Sequence, residues 1–326
     1  MSEHGRRIVA VGDLNGAADA LVEILLGTGL LNRAGRWAGG RAHLIQVGDV
    51  FNRGDGAKDA LELLLRLRGE AAKAGGQVTV LLGNHEVMTV LGHEAYCTEG
   101  EYLQFAGARE RERWPLQVDR AMRRLLSEYP PGGPIPPLKP RLDLWTIENV
   151  PGKAAMRRAL GPKGKLGRAI RSFPLAVREA GCVFVHAGVT APWARLGLDG
   201  LNRALAEAWT GAPGFYPRLS PRSVLRARNG PLWSRSFAHG GEELEPDLDR
   251  SLAALGAERM VIGHTQTRHT DGADGRILSR FGGRLICIDV SLREGEGQPR
   301  AALVVEGGSG SEWTQEGRRV LWRGGK

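Results

Sequence analysis

The sequence predicts an α/β fold built on a largely buried sheet, and two features of the chain predict it. Short apolar runs with little alternation recur, most of them ending in or near glycine: IVAVG (8–12), HLIQVG (43–48), VTVLLG (78–83), CVFVHAG (182–188), RMVIGH (259–264) and RLICIDV (284–290). Such runs belong to strands covered on both faces. Segments of helical period lie between them, and this alternation of strand and helix defines the class.

The helices follow from apolar spacing. Leu21, Ile24 and Leu25 mark one, and Leu61, Leu64 and Leu65 a second. Leu201, Leu205, Ala208 and Trp209 mark a third, and Leu248, Leu252 and Leu255 a fourth. Residues three and four apart share a helix face, so each set forms an apolar stripe. A last pair of runs, AALVVEG (301–307) and RRVLW (318–322), predicts a closing hairpin or edge, with a turn at Gly307 to Gly310.

Residues 97–175 break this rhythm. The stretch 100–130 reads as helical and basic, YPPGGPIPPLKP (129–140) as a proline-rich loop, and Ala154 to Leu160 as a further helix. Proline lacks the backbone donor that a helix interior or central strand needs. The segment is expected to be an insertion that forms a cap or wall over the site, within one catalytic domain spanning 1–326.

Bulk composition sets limits. The chain has 326 residues, enough for a substantial core, with 42% hydrophobic and 25% charged residues, an ordinary globular profile. The net charge of +9 favours anionic partners. It is spread widely, with concentrations at Arg109 to Arg124 and Lys153 to Arg171, and nucleic acid is not expected. Cys97, Cys182 and Cys287 fit no zinc spacing, and the last two sit in apolar runs as small hydrophobes. A reducing, cytoplasmic location is expected. No run approaches the ~18 apolar residues of a membrane span. The N-terminus leads straight into a strand, so no signal peptide is expected.

Polar residues gather where the strands end. Asp13 follows IVAVG, Asp49 follows LIQVG, and Asn84, His85 and Glu86 follow VTVLLG; His186 ends CVFV and His264 ends MVIG. In open α/β sheets, ligands bind outside the carboxyl ends of the strands. Oxygen and nitrogen donors of this kind suit Mn, Fe, Zn or Mg, and one carboxylate can bridge two cations roughly 3.5–4 Å apart. Singly, each residue has a plainer reading: an aspartate that caps a helix or a histidine satisfied in the core. Their recurrence at five strand ends favours a site. Arg53 and Arg235 are candidates to hold an anion, and Arg228 could serve in place of Arg235. His93 and Glu94 read as helix-end or surface residues. His4, His43, His239 and His269 read as surface or structural, and Trp193, Trp209 and Trp233 as core or pocket wall.

The segments GDLNG (12–16), GDVFNRG (48–54), GNHE (83–86), VHAG (185–188) and GHT (263–265) resemble, in order, the motifs of calcineurin-like metallophosphoesterases, in particular the phosphoprotein phosphatase branch. Residues 151–174 and NGPLWSR (229–235) are similar to Shewanella-like protein phosphatases. The resemblance implies a four-layer α-β-β-α sandwich with a helical insertion, and two divalent metal ions, Mn before Fe, Zn or Mg. Asp13, Asn15 and Asp49 would hold the first ion. Asp49 would bridge to the second, held also by Asn84, His186 and His264. His85, oriented by Asn52, would protonate the leaving oxygen. Arg53 and Arg235 would clamp the phosphate bidentately, with Asn84 and His85 also facing the substrate. The implied reaction is in-line attack by a metal-bound hydroxide on a phosphate monoester. The substrate would be a phosphorylated protein (Ser/Thr or Tyr). A nucleotide or dinucleoside polyphosphate, or phosphate binding with weakened turnover, are the alternatives.

Two positions depart from the pattern. The family's GDxHG histidine is Asn15, which is expected to hold the first metal weakly or through water. The second aspartate of GDxxDRG is Asn52, which can orient His85 but carries no charge, so activity is expected to lean toward good leaving groups.

Overall fold

The computed structural model describes residues 5–128, 138–212, 214–270, 275–293 and 300–324. His4 and residues 129–137 of the proline-rich segment lie outside the described residues. The strands are β1 (Ile8–Val11), β2 (His43–Gln46), β3 (Gln77–Val80), β4 (Ala176–Glu179), β5 (Cys182–Val185), β6 (Arg259–Ile262), β7 (Leu278–Arg280), β8 (Leu285–Cys287), β9 (Ala301–Glu306), β10 (Ser309–Thr314) and β11 (Gly317–Trp322). The helices are α1 (Ala18–Gly27), α2 (Ala57–Lys73), α3 (Asn84–Val90), α4 (Glu99–Leu103), α5 (Ala108–Ser127), α6 (Leu138–Asn149), α7 (Lys153–Leu160), α8 (Lys165–Arg171), α9 (Ala191–Ala194), α10 (Gly197–Thr210), α11 (Ser236–His239) and α12 (Glu245–Leu255).

Two sheets share one core. The first runs β11-β10-β9-β1-β2-β3 and the second β4-β5-β6-β8-β7. The middle strands are parallel: Val9 pairs with Leu44 and Leu44 with Val78 in one sheet, Val183 with Met260 and Met260 with Leu285 in the other. Every residue of β1, β2 and β5 is buried, as strands covered on both faces require. Helix α2 packs on β3 and α10 on β4, giving the helix–sheet–sheet–helix layering expected. His43 ties the sheets together: buried on β2, it bonds Thr79 through Nε2 at 2.8 Å and Glu179 of β4 through Nδ1 at 3.3 Å. Burial holds its pKa down at about 4.

The helical stripes fall where their spacing places them. Leu21, Ile24 and Leu25 of α1, Leu61 and Leu64 of α2, and Leu248, Leu252 and Leu255 of α12 are buried. Elsewhere the structure corrects the expectation. β11 is the expected sheet edge, but β10 intervenes between β9 and β11, so the two apolar runs form no hairpin with each other. Gly307 and Gly308 turn the chain, whereas Gly310 lies inside β10. The polar strand β10 and the short edge strands β4 and β7 carry too little apolar pattern to stand out. Helix α6 begins at Leu138, so Pro140 is helical; in the first turn its missing donor costs nothing.

The segment 97–175 holds α4 to α8. Trp114 of α5 stacks on Trp145 of α6 with ring centroids 5.6 Å apart. Helices α4 and α7 pack together, and α7 also meets α3. The loop after α3 is clamped to α7 by Glu94, which takes Arg157 bidentately at 2.6 and 2.7 Å and accepts from the Tyr102 hydroxyl at 3.1 Å. No helix among the described residues is long and apolar enough to cross a membrane.

Gly16 permits the closest approach of the β1 and β2 loops. Its φ is +81°, and an added Cβ would lie 2.4 Å from the backbone of Gly54, which cannot swing aside. Gly29 has a similar φ of +70° with open space around it. Gly16→Ala should lower stability by roughly 2–4 kcal/mol in denaturant melts and Gly29→Ala by about 1–2 kcal/mol, the difference reporting the backbone clash. Equal losses would show that the loops yield.

Candidate active site

Parallel strands aim their carboxyl ends at one cleft of about 400 Å³. Asp13 follows β1, Asp49 follows β2, Asn84 opens α3 after β3, and His264 follows β6; all four line it with Asn15, His85, Arg53 and Arg235. His186, following β5, is fully buried behind it. Arg228 is exposed and does not line the cleft; Arg235 does. The predicted residues therefore converge, and Asp49, His186 and His264 each offer a ligand atom within 4.8 Å of the others.

The loops that deliver these side chains are bent sharply. Asn15, Asp49, Asn52, Arg53 and His264 all have φ between +46° and +71°. Side chains other than glycine seldom take this conformation, and it concentrates at functional loops. Glu86 holds one such loop from beneath. Its buried carboxylate accepts the backbone N–H groups of Asp49, Val50, Phe51 and Gly83 at 2.8–3.1 Å. Asp49 Oδ1 accepts His85 N at 2.9 Å, and Asp13 Oδ1 accepts His264 N at 2.9 Å, so both carboxylates are locked in place.

The electrostatics suit a cation. The Asp13 carboxyl is pushed well above its usual range by burial and by the charges of Asp289 and Asp49. Burial and Glu86 raise Asp49 likewise. His186 Nδ1 donates to the Val47 carbonyl at 2.9 Å, which turns the Nε2 lone pair toward Asn84 Oδ1 at 2.8 Å and Asp49 Oδ1 at 3.4 Å. Burial holds its pKa down at about 3, so protonation does not relieve that crowding. Asn15 Oδ1 and His264 Nε2 are buried with no hydrogen-bond partner among the described residues. Crowded acceptors with orphaned lone pairs fit divalent metal ions.

Arg53, Arg235 and His85 line the rest of the cleft. Arg235 is pinned by bonds from Nη1 to the His264 carbonyl at 2.9 Å and to Thr265 Oγ1 at 3.2 Å. The Arg53 guanidinium lies over the Tyr96 ring, 5.5 Å from its centroid. His85 Nδ1 meets Asn52 Oδ1 at 2.8 Å, and its Nε2 stands 3.8 Å from Asp49 Oδ2. Burial, with Arg53 next, pushes the His85 pKa down to about 3.

Sequence reasoning missed several residues here. Asp289 lines the cleft and stands two residues beyond β8 as Asp13 stands two beyond β1, a signal present in RLICIDV. Tyr96 lines the wall unforeseen; His239 and His269 are exposed, as expected, but stand at the cleft, and Trp233 lines the wall as expected. Glu101, on α4, is fully buried beside Asn52, and no basic side chain among the described residues pairs with it. Burial raises its pKa to about 7.

An oxygen- and nitrogen-lined metal centre flanked by two arginines defines a metal-dependent phosphoester hydrolase. Comparison with known proteins agrees. The calcineurin-like phosphoesterase family matches residues 6–268. The chain is 30% identical over 306 residues to Shewanella-like protein phosphatase 2 of Arabidopsis thaliana, covering 90% of this chain and 73% of that one. It is 33% identical over 274 residues to Shewanella-like protein phosphatase 1 of Plasmodium berghei, covering 82% and 63%. The fold is also that of the cold-active protein-tyrosine phosphatase of a psychrophilic Shewanella species, with a TM-score of 0.71 at 22% identity over 97% of this chain and 80% of that one. The chain belongs to the calcineurin-like phosphoesterase family, whose members depend on two metal ions.

Because the acidic cluster repels itself, chelation should lower the melting temperature, and a divalent ion at about 100 times its Kd should restore roughly 2.7 kcal/mol. Asp49→Asn should raise the melting temperature of chelated protein and abolish the response; an unchanged response would remove Asp49 from the centre.

Glu101 makes a second prediction. An acid with a raised folded-state pKa binds more protons folded than unfolded, so stability falls as pH rises from about 4.5 to about 7 and levels off above. Asn52, Cys97, Thr98 and Tyr102 surround it, and none offsets its charge with a cation. Glu101→Gln should therefore reduce the loss of stability between pH 5 and pH 8 by up to about 3 kcal/mol in urea melts. An identical pH slope would mean the carboxyl is solvated.

Proposed function

We propose that this chain is a protein phosphatase acting on phosphoserine, phosphothreonine or phosphotyrosine, with Asp13, Asn15 and Asp49 holding one metal ion and Asp49, Asn84, His186 and His264 the other. One observation carries the reading: Asp13, Asn15, Asp49, Asn84, His264, Arg53 and Arg235 line the same cleft, with His186 directly behind it. The names and extents of the Shewanella-like relatives support the protein substrate. Carboxylate and amide oxygens in the first set favour Mn or Mg.

When bound, the two ions supply Lewis-acid charge for the phosphoryl oxygens and activate water near neutral pH. The chain supplies the rest. Arg53 and Arg235 present planar forks to the phosphoryl oxygens, and the bonds pinning Arg235 mean it loses little freedom on binding. His85, once protonated to the imidazolium, passes a proton from Nε2 to the leaving oxygen as the P–O bond breaks, and the Asn52 carbonyl, accepting from Nδ1, holds its ring in place. Glu86 and the left-handed loops fix Asp49 and His85 relative to each other before substrate arrives.

With Mn loaded, the protein should hydrolyse phosphopeptides faster than dinucleoside polyphosphates; the reverse order would overturn the protein-substrate reading. Arg235→Ala should lower kcat/KM by about 10²- to 10³-fold without changing metal content. Exhaustive dialysis should leave less than two ions per chain, because Asn15 is a weak ligand, and full retention would contradict that.

A further inference from the structure

We infer that Glu101 is a positioning residue for His85: it fixes the amide of Asn52, and through it the proton-bearing nitrogen of the imidazole that faces the leaving group. The inference rests on the reading of His85 as proton donor. It concerns a residue of the segment 97–175, expected to cap or wall the site, although none of its described residues lines the cleft.

The geometry has one consistent assignment of donors and acceptors. Asn52 is fully buried, with Nδ2 3.3 and 3.4 Å from the two Glu101 oxygens and 3.2 Å from Cys97 Sγ. Its Oδ1 faces His85 Nδ1 at 2.8 Å and accepts from Thr89 Oγ1 at 3.1 Å. An amide can be flipped without changing its shape, so something must decide which end faces His85. Hydroxyl and thiol can each donate or accept. Above about pH 7 Glu101 is ionised and can only accept, and it is the one group around Asn52 with that restriction. It therefore draws the NH₂ to itself and turns the carbonyl to His85. The carbonyl in turn requires hydrogen on Nδ1, so Nε2 is the nitrogen that takes up a second proton from solvent, forming the imidazolium, and passes that proton to the leaving oxygen.

A second contact strengthens the assignment. Glu101 Oε1 also accepts the backbone N–H of Asn52 at 3.1 Å. That bond holds Asn52 at φ +71°, and Arg53 follows at φ +67° with its own N–H on the Tyr96 carbonyl at 2.9 Å. Burial lifts the Glu101 pKa to about 7, a cost to the fold that no ion pair among the described residues offsets. Side chain and main chain of Asn52 thus hang on one carboxylate from α4, forty-nine residues along the chain.

Glutamine at 101 offers an NH₂ of its own, so it permits the Asn52 amide to flip and present a donor to His85. The full chain, metal-loaded, is assayed on para-nitrophenyl phosphate and on a phosphoserine peptide. Glu101→Gln should lower kcat on the phosphoserine peptide by about 10²-fold and on para-nitrophenyl phosphate by no more than about threefold, with KM little changed, since only the poor leaving group needs the proton. The double variant N52D/E101Q, which can again present only an acceptor to His85, should regain at least about tenfold on the peptide. An equal loss on both substrates, or no loss on the peptide, overturns the proposal. Should the variants not fold, 15N-histidine NMR of the Mg-loaded natural chain decides it: His85 protonated on Nδ1 is expected, and a neutral ring carrying hydrogen only on Nε2 overturns it. Absence of para-nitrophenyl phosphate hydrolysis in the natural chain would instead defeat the phosphatase reading.

Discussion

Several carboxylates buried side by side are the constraint under which the rest of this molecule is arranged. Asp13, Asp49 and Asp289 come from three strand ends in two sheets, and each raises the cost of ionising its neighbours. Bound cations would settle that charge, as protonation otherwise must. Everything nearby keeps the repelling groups from moving apart. Glu86 fastens the Asp49 loop through four backbone donors, and His264 and His85 fasten the two aspartates through theirs. His43 and Glu179 hold the sheets in register beneath. A looser scaffold would relax by separating the charges, and the affinity for metal would fall with it.

Much of this was legible in the chain. Six buried strands announced themselves as apolar runs, and Asp13, Asp49, Asn84, His186 and His264 sit where those runs end. What escaped notice did so for physical reasons. Asp289 terminates a run whose final residues are as apolar as its interior, and the carboxylate reads as a strand residue until β8 is seen to stop at Cys287. Glu101 is one of many glutamates in a charged helical stretch, and only its burial against a loop from β2 sets it apart. Helix α6 buries Thr146 and leaves Leu144 and Ile147 exposed, so its sequence shows no stripe. Strand β10 is polar although four of its six residues are buried, because Glu312 and Thr314 are among them and Glu312 takes Arg276 and Arg319.

The two asparagines gain a structural rationale. Both occupy left-handed backbone, at φ 46° for Asn15 and 71° for Asn52, where asparagine is tolerated better than most side chains. Each also keeps a carbonyl oxygen where the site needs an acceptor: Asn15 Oδ1 buried at the cleft and Asn52 Oδ1 against His85. Asparagine brings no charge to either place. Near Asn52 the charge sits one residue farther out, on Glu101, where it costs the cleft no additional repulsion.

The donors that line the cleft come from both ends of the chain, from Asp13 beside β1 to Asp289 beside β8. Contacts so distant in sequence form late during folding, because loop-closure entropy must be overcome first. A growing or partly collapsed chain therefore lacks the assembled centre, and capture of metal is coupled to completion of the second sheet. Maturation would follow translation rather than accompany it, and the ions available at that moment, more than those present during synthesis, would decide which metal the enzyme carries.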